Sequence, residues 1–166
     1  MDLNLSEQLQ TWGEPAFRRR QVAEWKYRHL VRGYAEMRNL PLPLRQRLER
    51  EVPFSTLKPI HELASADGRT TKLLLQLRDG QLVESVLMRS YADGELQAAS
   101  LRNTVCVSSQ AGCKMRCSFC ATGHGGWRRD LQAEEIVDQV LHFARMLKDE
   151  QRHVTNVVFM GMGEPL

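Results

Sequence analysis

"AEEIVDQVLHFARMLKDE" (133–150), followed by "VTNVVFMG" (154–161), is the part of the chain that decides its architecture. Ile136, Val137, Val140, Leu141, Ala144 and Leu147 recur at the spacing of an amphipathic helix, with Glu134 and Glu135 in its first turn and Lys148 near its end, where they complement the helix dipole. The run after it is short, apolar and rich in valine, the composition of a strand buried on both faces. A strand precedes the helix as well, in "LRNTVCVSS" (101–109), so the order is β-α-β and a parallel α/β architecture begins here. The final "GMGEPL" (161–166) falls at the carboxyl end of the second strand, where parallel α/β folds bind their ligands. Two parallel strands neither close a barrel nor cover both faces of a sheet, so the sequence predicts a fold left incomplete at residue 166.

Ahead of this region, residues 57–109 change to a strand-like period. Asp67-Gly68, Asp79-Gly80 and Asp93-Gly94 separate the runs "LKPIHELA", "TKLLLQL", "LVESVLMRS" and "LRNTVCVSS", and Asp-Gly supplies the positive φ that tight hairpins need. An antiparallel meander follows from this punctuation. Residues 1–54 read as helical: Phe17, Val22, Trp25, Leu30 and Val31 share one face, with Arg18, Arg19, Arg20, Lys26, Arg28 and Arg32 around the others and Gly33 as a stop. A second short helix is predicted after "NLPLPL", with Pro43 in its first turn and Leu44, Leu48 and Val52 at spacings of four. The expected organisation is an α+β to α/β chain: a helical domain over 1–56, a β-meander linker over 57–100, and the start of an α/β domain over 101–166. "GHGGWRRDLQ" (123–132) reads as a glycine-rich connector.

Charge is unevenly placed. Residues 1–60 hold 11 Lys/Arg against 7 Asp/Glu, or +4, and residues 61–166 hold 12 against 13, or −1. Arginine-rich faces neutralise phosphates, and Trp25, Tyr27 and Tyr34 have the chemistry to stack on bases or to fill the core. The N-terminus lacks a basic, then apolar, leader, and no apolar run approaches the roughly 20 residues of a membrane span. A soluble, cytoplasmic chain with no membrane partner is expected.

All four cysteines lie between Cys106 and Cys120, too close together to staple a secreted fold, and three of them form "CKMRCSFC" (113–120). Three chemistries fit. A zinc site would recruit Cys106 or His124 as a fourth ligand, although zinc motifs usually pair two CxxC units. A ferredoxin-type cluster needs a fourth thiolate, and no cysteine follows Cys120. An iron–sulfur cluster with one iron left open to a small molecule uses three, and Phe119 beside the last cysteine together with the glycine-rich strand end favours it.

The CxxxCxxC pattern resembles that of the radical S-adenosylmethionine (SAM) superfamily. More narrowly, "CVSSQAGCKMRCSFCATG", "EEIVDQV" and "GMGEPL", with "RRRQVAEWKY", "MRNLP" and "LVESVLM" upstream, resemble the RlmN/Cfr family of RNA adenosine methyltransferases from about residue 12 to 166. The similarity covers about the first half of such an enzyme, and implies a helical accessory domain, a small meander and the first β-α-β of an incomplete TIM-like partial barrel.

The resemblance implies that Cys113, Cys117 and Cys120 hold a [4Fe-4S] cluster whose fourth iron binds SAM, which one-electron reduction splits to a 5′-deoxyadenosyl radical. Phe119, Gly161, Met162, Gly163 and Glu164 would bind SAM, the loop carbonyls accepting from its amino group and the glycines allowing close approach. Cys106 would remove a proton from the methylated adenine, which calls for a thiolate in an electropositive pocket. Glu84 would assist proton transfer or substrate placement. The substrates implied are 23S rRNA and tRNA, methylated on carbon 2 of adenosine, with carbon 8 as the Cfr-type alternative and a non-catalytic RNA- or metal-binding module as the rival of another class. Arg18, Arg19 and Arg20 would contact RNA. A flavodoxin- or ferredoxin-type electron donor and a monomeric state are also implied. Family members carry a methyl-accepting cysteine far toward the C-terminus that these residues do not include, so no methyl transfer is expected from 1–166 alone. Where members often have Asn-Leu-Thr before the first barrel helix, this chain has Asp130, Leu131 and Gln132, a poorer helix start.

Overall fold

The computed structural model describes residues 3–90 and 102–165, and it divides into two compact units, Met1–Ser55 and Thr56–Leu166. The Asp93-Gly94 turn lies outside the described residues.

The first unit is helical. Helix α1 (Leu3–Thr11) is followed by α2 (Phe17–Ala23), a π-helical turn (Glu24–Arg28), a 3-10 turn (Tyr34–Glu36) and α3 (Leu42–Glu51). Leu5, Leu9, Val22, Met37, Leu44 and Leu48 meet in one apolar cluster, with Tyr34 edge-on to Phe54 inside it. The predicted first helix is altered at its end. The His29 amide reaches back five residues to the Glu24 carbonyl (3.1 Å), and Leu30, at φ 53°, ends the helix three residues before Gly33. The widened turn changes which side chains point inward. Lys26, expected on the polar side, is 6% exposed and lies near the rings of Tyr27 and Phe54. Phe17, expected inward, is exposed at the first position of α2, ahead of that turn.

The second unit is built on a five-stranded sheet in the order β1-β2-β3-β4-β7. Strands β1 (Leu57–Ala64), β2 (Thr70–Leu77), β3 (Leu82–Arg89) and β4 (Asn103–Cys106) are successively antiparallel, with Gly68 at φ 68° and Gly80 at φ 84° in the first two turns. The meander and the α/β segment thus share one sheet. Helix α5 (Ala133–Asp149) leads to β7 (Asn156–Val158), which pairs parallel to β4. The expected β-α-β is present, but β7 is three residues long and half-exposed, with Val157 42% exposed, instead of a strand buried on both faces. It lies at the edge of the sheet among the described residues, so one side of its backbone has no strand beside it.

The core lies between the sheet and α5. Leu73, Leu75, Leu77, Val83, Leu87 and Val105 face Phe143 and Leu147, all fully or almost fully buried. Burial alternates along β2 and β3, as a sheet with one core face requires. The supposed connector is structured: α4 (Ala121–His124) is followed by β6 (Trp127–Asp130), which pairs antiparallel with β5 (Gln110–Gly112). Nor is the start of α5 weak. Gln132 accepts from the Glu135 backbone while the Glu135 carboxylate accepts from the Gln132 N–H at 2.8 Å, a reciprocal capping box that offsets the lower N-cap preference of Gln.

Candidate active site

The β5–β6 hairpin carries the three-cysteine loop at its tip. Gly112, at φ 81°, crosses the Gly126 carbonyl so closely that a Cβ there would collide with it, and the Cys113 amide donates to that carbonyl at 3.3 Å. Gly123 packs behind Arg116 and Cys117, with its Cβ position 3.0 Å from the Arg116 Cα. The Cys120 amide donates to the Cys117 carbonyl at 3.0 Å. These contacts bring the chain back on itself, with Cys113 buried and Cys117 and Cys120 half-exposed. The amides of Gly123 and Thr122 hold the Cys120 thiol below its usual range. Phe119 stands 90% exposed beside it.

Among the described residues no three Cys, His, Asp or Glu side chains converge on a point that could hold one metal ion. Zinc needs its thiolates about 2.3 Å from a common centre. His124, the alternative zinc ligand, instead places its ring 3.1 Å from the Ser118 carbonyl. Three soft sulfur donors on one partly exposed loop are the donor chemistry that an iron–sulfur cluster takes.

The segment after β4 and the segment after β7 run together. Val107 donates to the Val158 carbonyl (2.9 Å), Gly161 to the Val107 carbonyl (3.1 Å), and the Ser109 and Gln110 amides both donate to the Met162 carbonyl (2.8 and 3.2 Å). The Met162 amide donates to Ser108 Oγ at 2.8 Å. Here the glycines serve protein packing: a Cβ on Gly161 would lie 2.7 Å from the Val107 oxygen, and one on Gly163, at φ 101°, would lie 2.6 Å from Gln110 Cβ. The expected close approach is therefore toward the extension of β4, and the Met162 carbonyl is already an acceptor within the protein. The cysteine loop and the 161–164 loop nonetheless border one open cleft of about 520 Å³, lined by Lys114, Met115, Asp130, Phe159, Glu164 and Pro165 among others.

Cys106 and Glu84 emerge on the sheet face away from the core. Val86 is the cross-strand partner of Cys106, and Glu84 lies two residues from Val86 on the same face. Glu84 pairs with Lys72 at 2.7 Å, an exposed contact. Burial pushes the Cys106 thiol above its usual range, and the Met160 amide offsets this only in part.

Several polar side chains that sequence reading passed over hold these parts together. Gln139, fully buried on α5, accepts from the Ser108 N–H (2.9 Å) and donates to the Ser108 carbonyl (3.0 Å). Asp138 accepts from the amide and hydroxyl of Thr56 at the entry to β1. Arg129 on β6 forks onto the Glu135 carboxylate (2.7 and 2.8 Å) and reaches Asp79 in the β2–β3 turn (2.6 Å), and these partners raise its pKa further. A signal was available: stepping back by fours from Leu147 gives Phe143, Gln139 and Glu135, so the buried line of α5 continues into polar residues.

Arg18, Arg19 and Arg20 are not equivalent. Arg18 is tied to Glu14 (3.5 Å) and Gln21 (2.8 Å), whereas Arg19 and Arg20 are exposed. Among the described residues no helix is long and apolar enough to cross a membrane.

Residues 2–53 match the family model of the ribosomal RNA large subunit methyltransferase N-terminal domain, and residues 107–166 match that of the radical SAM superfamily. The chain is 48% identical to a probable dual-specificity RNA methyltransferase RlmN of Chloroflexus aurantiacus, over 99% of this chain and 43% of that protein. It is 44% identical to the ribosomal RNA large subunit methyltransferase N of Nitrosopumilus maritimus, over 93% of this chain and 44% of that protein. A crystal structure of a radical SAM methyltransferase from Sphaerobacter thermophilus superposes with a TM-score of 0.85 at 45% identity, covering 97% of this chain and 45% of that one. The chain thus spans less than half the length of these relatives.

Proposed function

Because this chain belongs to the RlmN/Cfr family of radical SAM proteins, we propose that it is the front portion of an enzyme that methylates carbon 2 of adenosine in large-subunit rRNA and in tRNA. The observation that carries this reading is the shared cleft: Lys114 and Met115 of the three-cysteine loop and Glu164 of the 161–164 loop line one opening, and the second loop follows the carboxyl end of β7, which runs parallel to β4. Cys113, Cys117 and Cys120 would hold a [4Fe-4S] cluster, and Gly161, Met162, Gly163 and Glu164 would flank the methionine end of SAM. The cluster and SAM supply the radical chemistry, for which a flavodoxin- or ferredoxin-type protein would supply the electron. The loop contributes orientation, since its backbone is fixed to residues 107–110. Phe119 is exposed enough to lie against a ligand.

Cys106 and Glu84 share the sheet face opposite α5, which supports a role for both near the substrate adenine. Glu84 would place a carboxylate beside the base and can exchange its Lys72 partner for a substrate group, since exposed ion pairs hold weakly, at about 0–1 kcal/mol. Cys106 acts as a base only once its thiol loses its proton. Its thiol, raised by burial, would act in that step once substrate or further protein brings positive charge to it. Residues 1–55 would form the accessory domain that engages RNA through Arg19 and Arg20. Cytoplasmic location and a monomeric state are parts of the same reading. Methyl transfer itself needs a further cysteine that residues 1–166 do not contain.

Anaerobic reconstitution tests this. About four iron and four sulfide per chain are expected, lost in Cys113→Ala, Cys117→Ala and Cys120→Ala and kept in Cys106→Ala. With labelled SAM, a reductant and RNA, residues 1–166 should give slow SAM cleavage without methyladenosine, as read by mass spectrometry of digested RNA. Stoichiometric zinc that requires Cys106, or methyladenosine formed by these residues alone, would overturn it.

A further inference from the structure

We propose that Gln110 is a positioning residue whose carboxamide ties the 161–164 loop to the cysteine hairpin, so that the two halves of the SAM site are held at one spacing. The inference rests on the functional reading above and adds a residue to it. Gln110 opens β5, seven residues after the start of β4, and it is 6% exposed. Its two polar ends serve different elements. Nε2 donates to Asp130 Oδ1 on β6 at 2.7 Å, and Oε1 accepts from the Glu164 amide at 3.2 Å. Asp130 in turn accepts from Lys114 Nζ at 3.3 Å through its other oxygen, and Lys114 is the residue next to Cys113. The tie therefore runs Lys114, Asp130, Gln110, Glu164, from beside a cluster ligand to the loop expected to flank the methionine end of SAM.

The loop is shaped to this side chain. Gly163 adopts φ 101° with its missing Cβ pointing at Gln110 Cβ and Cγ, 2.6 and 2.7 Å away, so no other residue could lie there without displacing Gln110. The backbone bonds of residues 107–110 fix the 161–164 loop to the extension of β4, and Gln110 adds a bond to β6, the strand that returns from the cysteines. A carboxamide is suited to the place because it offers one donor and one acceptor end. Glutamate has no donor and would face the Asp130 carboxylate, while leucine fills the volume and makes neither bond.

This polarity gives the test. Gln110→Glu breaks the tie, and the double variant Gln110→Glu with Asp130→Asn restores it reversed, since the new amide donates to the new carboxylate. Two quantities are measured on the full 166-residue chain: hydrogen exchange of the 162–164 amides in the metal-free protein, and the SAM concentration that half-shifts the electron paramagnetic resonance spectrum of the reduced cluster. For Gln110→Glu each should change by about tenfold, the equivalent of one hydrogen bond of about 1.4 kcal/mol, with iron content unchanged. The double variant should return both to within about threefold of wild type, a recovery that general loss of packing would not show. Asp130→Ala, at an exposed position, removes the far anchor should Gln110→Glu fail to fold, and should shift both quantities in the same direction. Wild-type values in the folded single variants would overturn the proposal, as would a double variant no better than Gln110→Glu. A wild-type cluster whose spectrum ignores SAM would overturn the functional reading instead, and the exchange data would still decide the tie.

Discussion

Replacing Gln139 is the sharpest test of how α5 holds the site. Its side chain bonds both backbone groups of Ser108, which is itself fully buried, so the carboxamide acts as the missing neighbour strand at the point where β4 passes into the cysteine hairpin. Gln139→Met keeps most of the volume but leaves a buried N–H and a buried C=O unpaired, each costing about 1–3 kcal/mol, or about 2–6 kcal/mol together. For a unit of this size that corresponds to a fall in Tm of about 8–24 °C. Gln139→Ala adds a cavity and should cost more. Hydrogen exchange of the amides of β4 and its extension under native conditions is the suitable assay, because it reports the stability of the second unit without interference from the helical one. The expected result is faster exchange at Val105 and Val107 in Gln139→Met and faster still in Gln139→Ala. A Gln139→Met protein within about 0.5 kcal/mol of wild type, the range of an ordinary surface change, would refute the reasoning, since water or a rearranged loop would then be satisfying Ser108 as well as the carboxamide does.

Two further outcomes follow from thiol and charge placement. In the metal-free chain Cys106 should alkylate more slowly with iodoacetamide than Cys120 at pH 8, because burial raises one thiol and the Gly123 and Thr122 amides lower the other; its rate should keep rising at pH values where that of Cys120 has levelled, as followed by peptide mass spectrometry. Replacing Arg19 and Arg20 together by Gln should lower the slope of log affinity against log salt for single-stranded RNA by about 1.4, while Arg18→Gln, already engaged by Glu14 and Gln21, should leave it within error.

Fold and site were legible in the sequence to different depths. The Asp-Gly turns are read correctly at Gly68 and Gly80 because a positive φ is a local demand that local residues announce. The apolar period of 133–149 finds α5, and Leu44 and Leu48 find α3, because a buried stripe must repeat with the helix. The π-helical turn that buries Lys26 leaves no trace in that period, since one widened turn shifts every later residue without changing any of them. Likewise β6 was hidden in a glycine-rich stretch, because a four-residue strand draws its stability from its partner β5 and not from its own composition.

What the sequence determined by itself is the chemistry on offer: three thiols at fixed spacing on one loop, a glycine-rich strand end, and an arginine-rich front. Those are properties of residue type and local spacing, which survive without any tertiary contact. Only the folded chain decided their relations. It set Gly161 and Gly163 against Val107 and Gln110, brought residues of the cysteine loop and of the 161–164 loop to one cleft, and gave Cys106 a buried environment that pushes its thiol pKa up. It also put Gln139 and Arg129 to work between segments tens of residues apart, through Ser108 and Asp79. The physical reason is common to all of these: packing distance, burial and hydrogen-bond partners across a sheet depend on which segments lie side by side, and that neighbourhood comes into existence only when strand order and register are set.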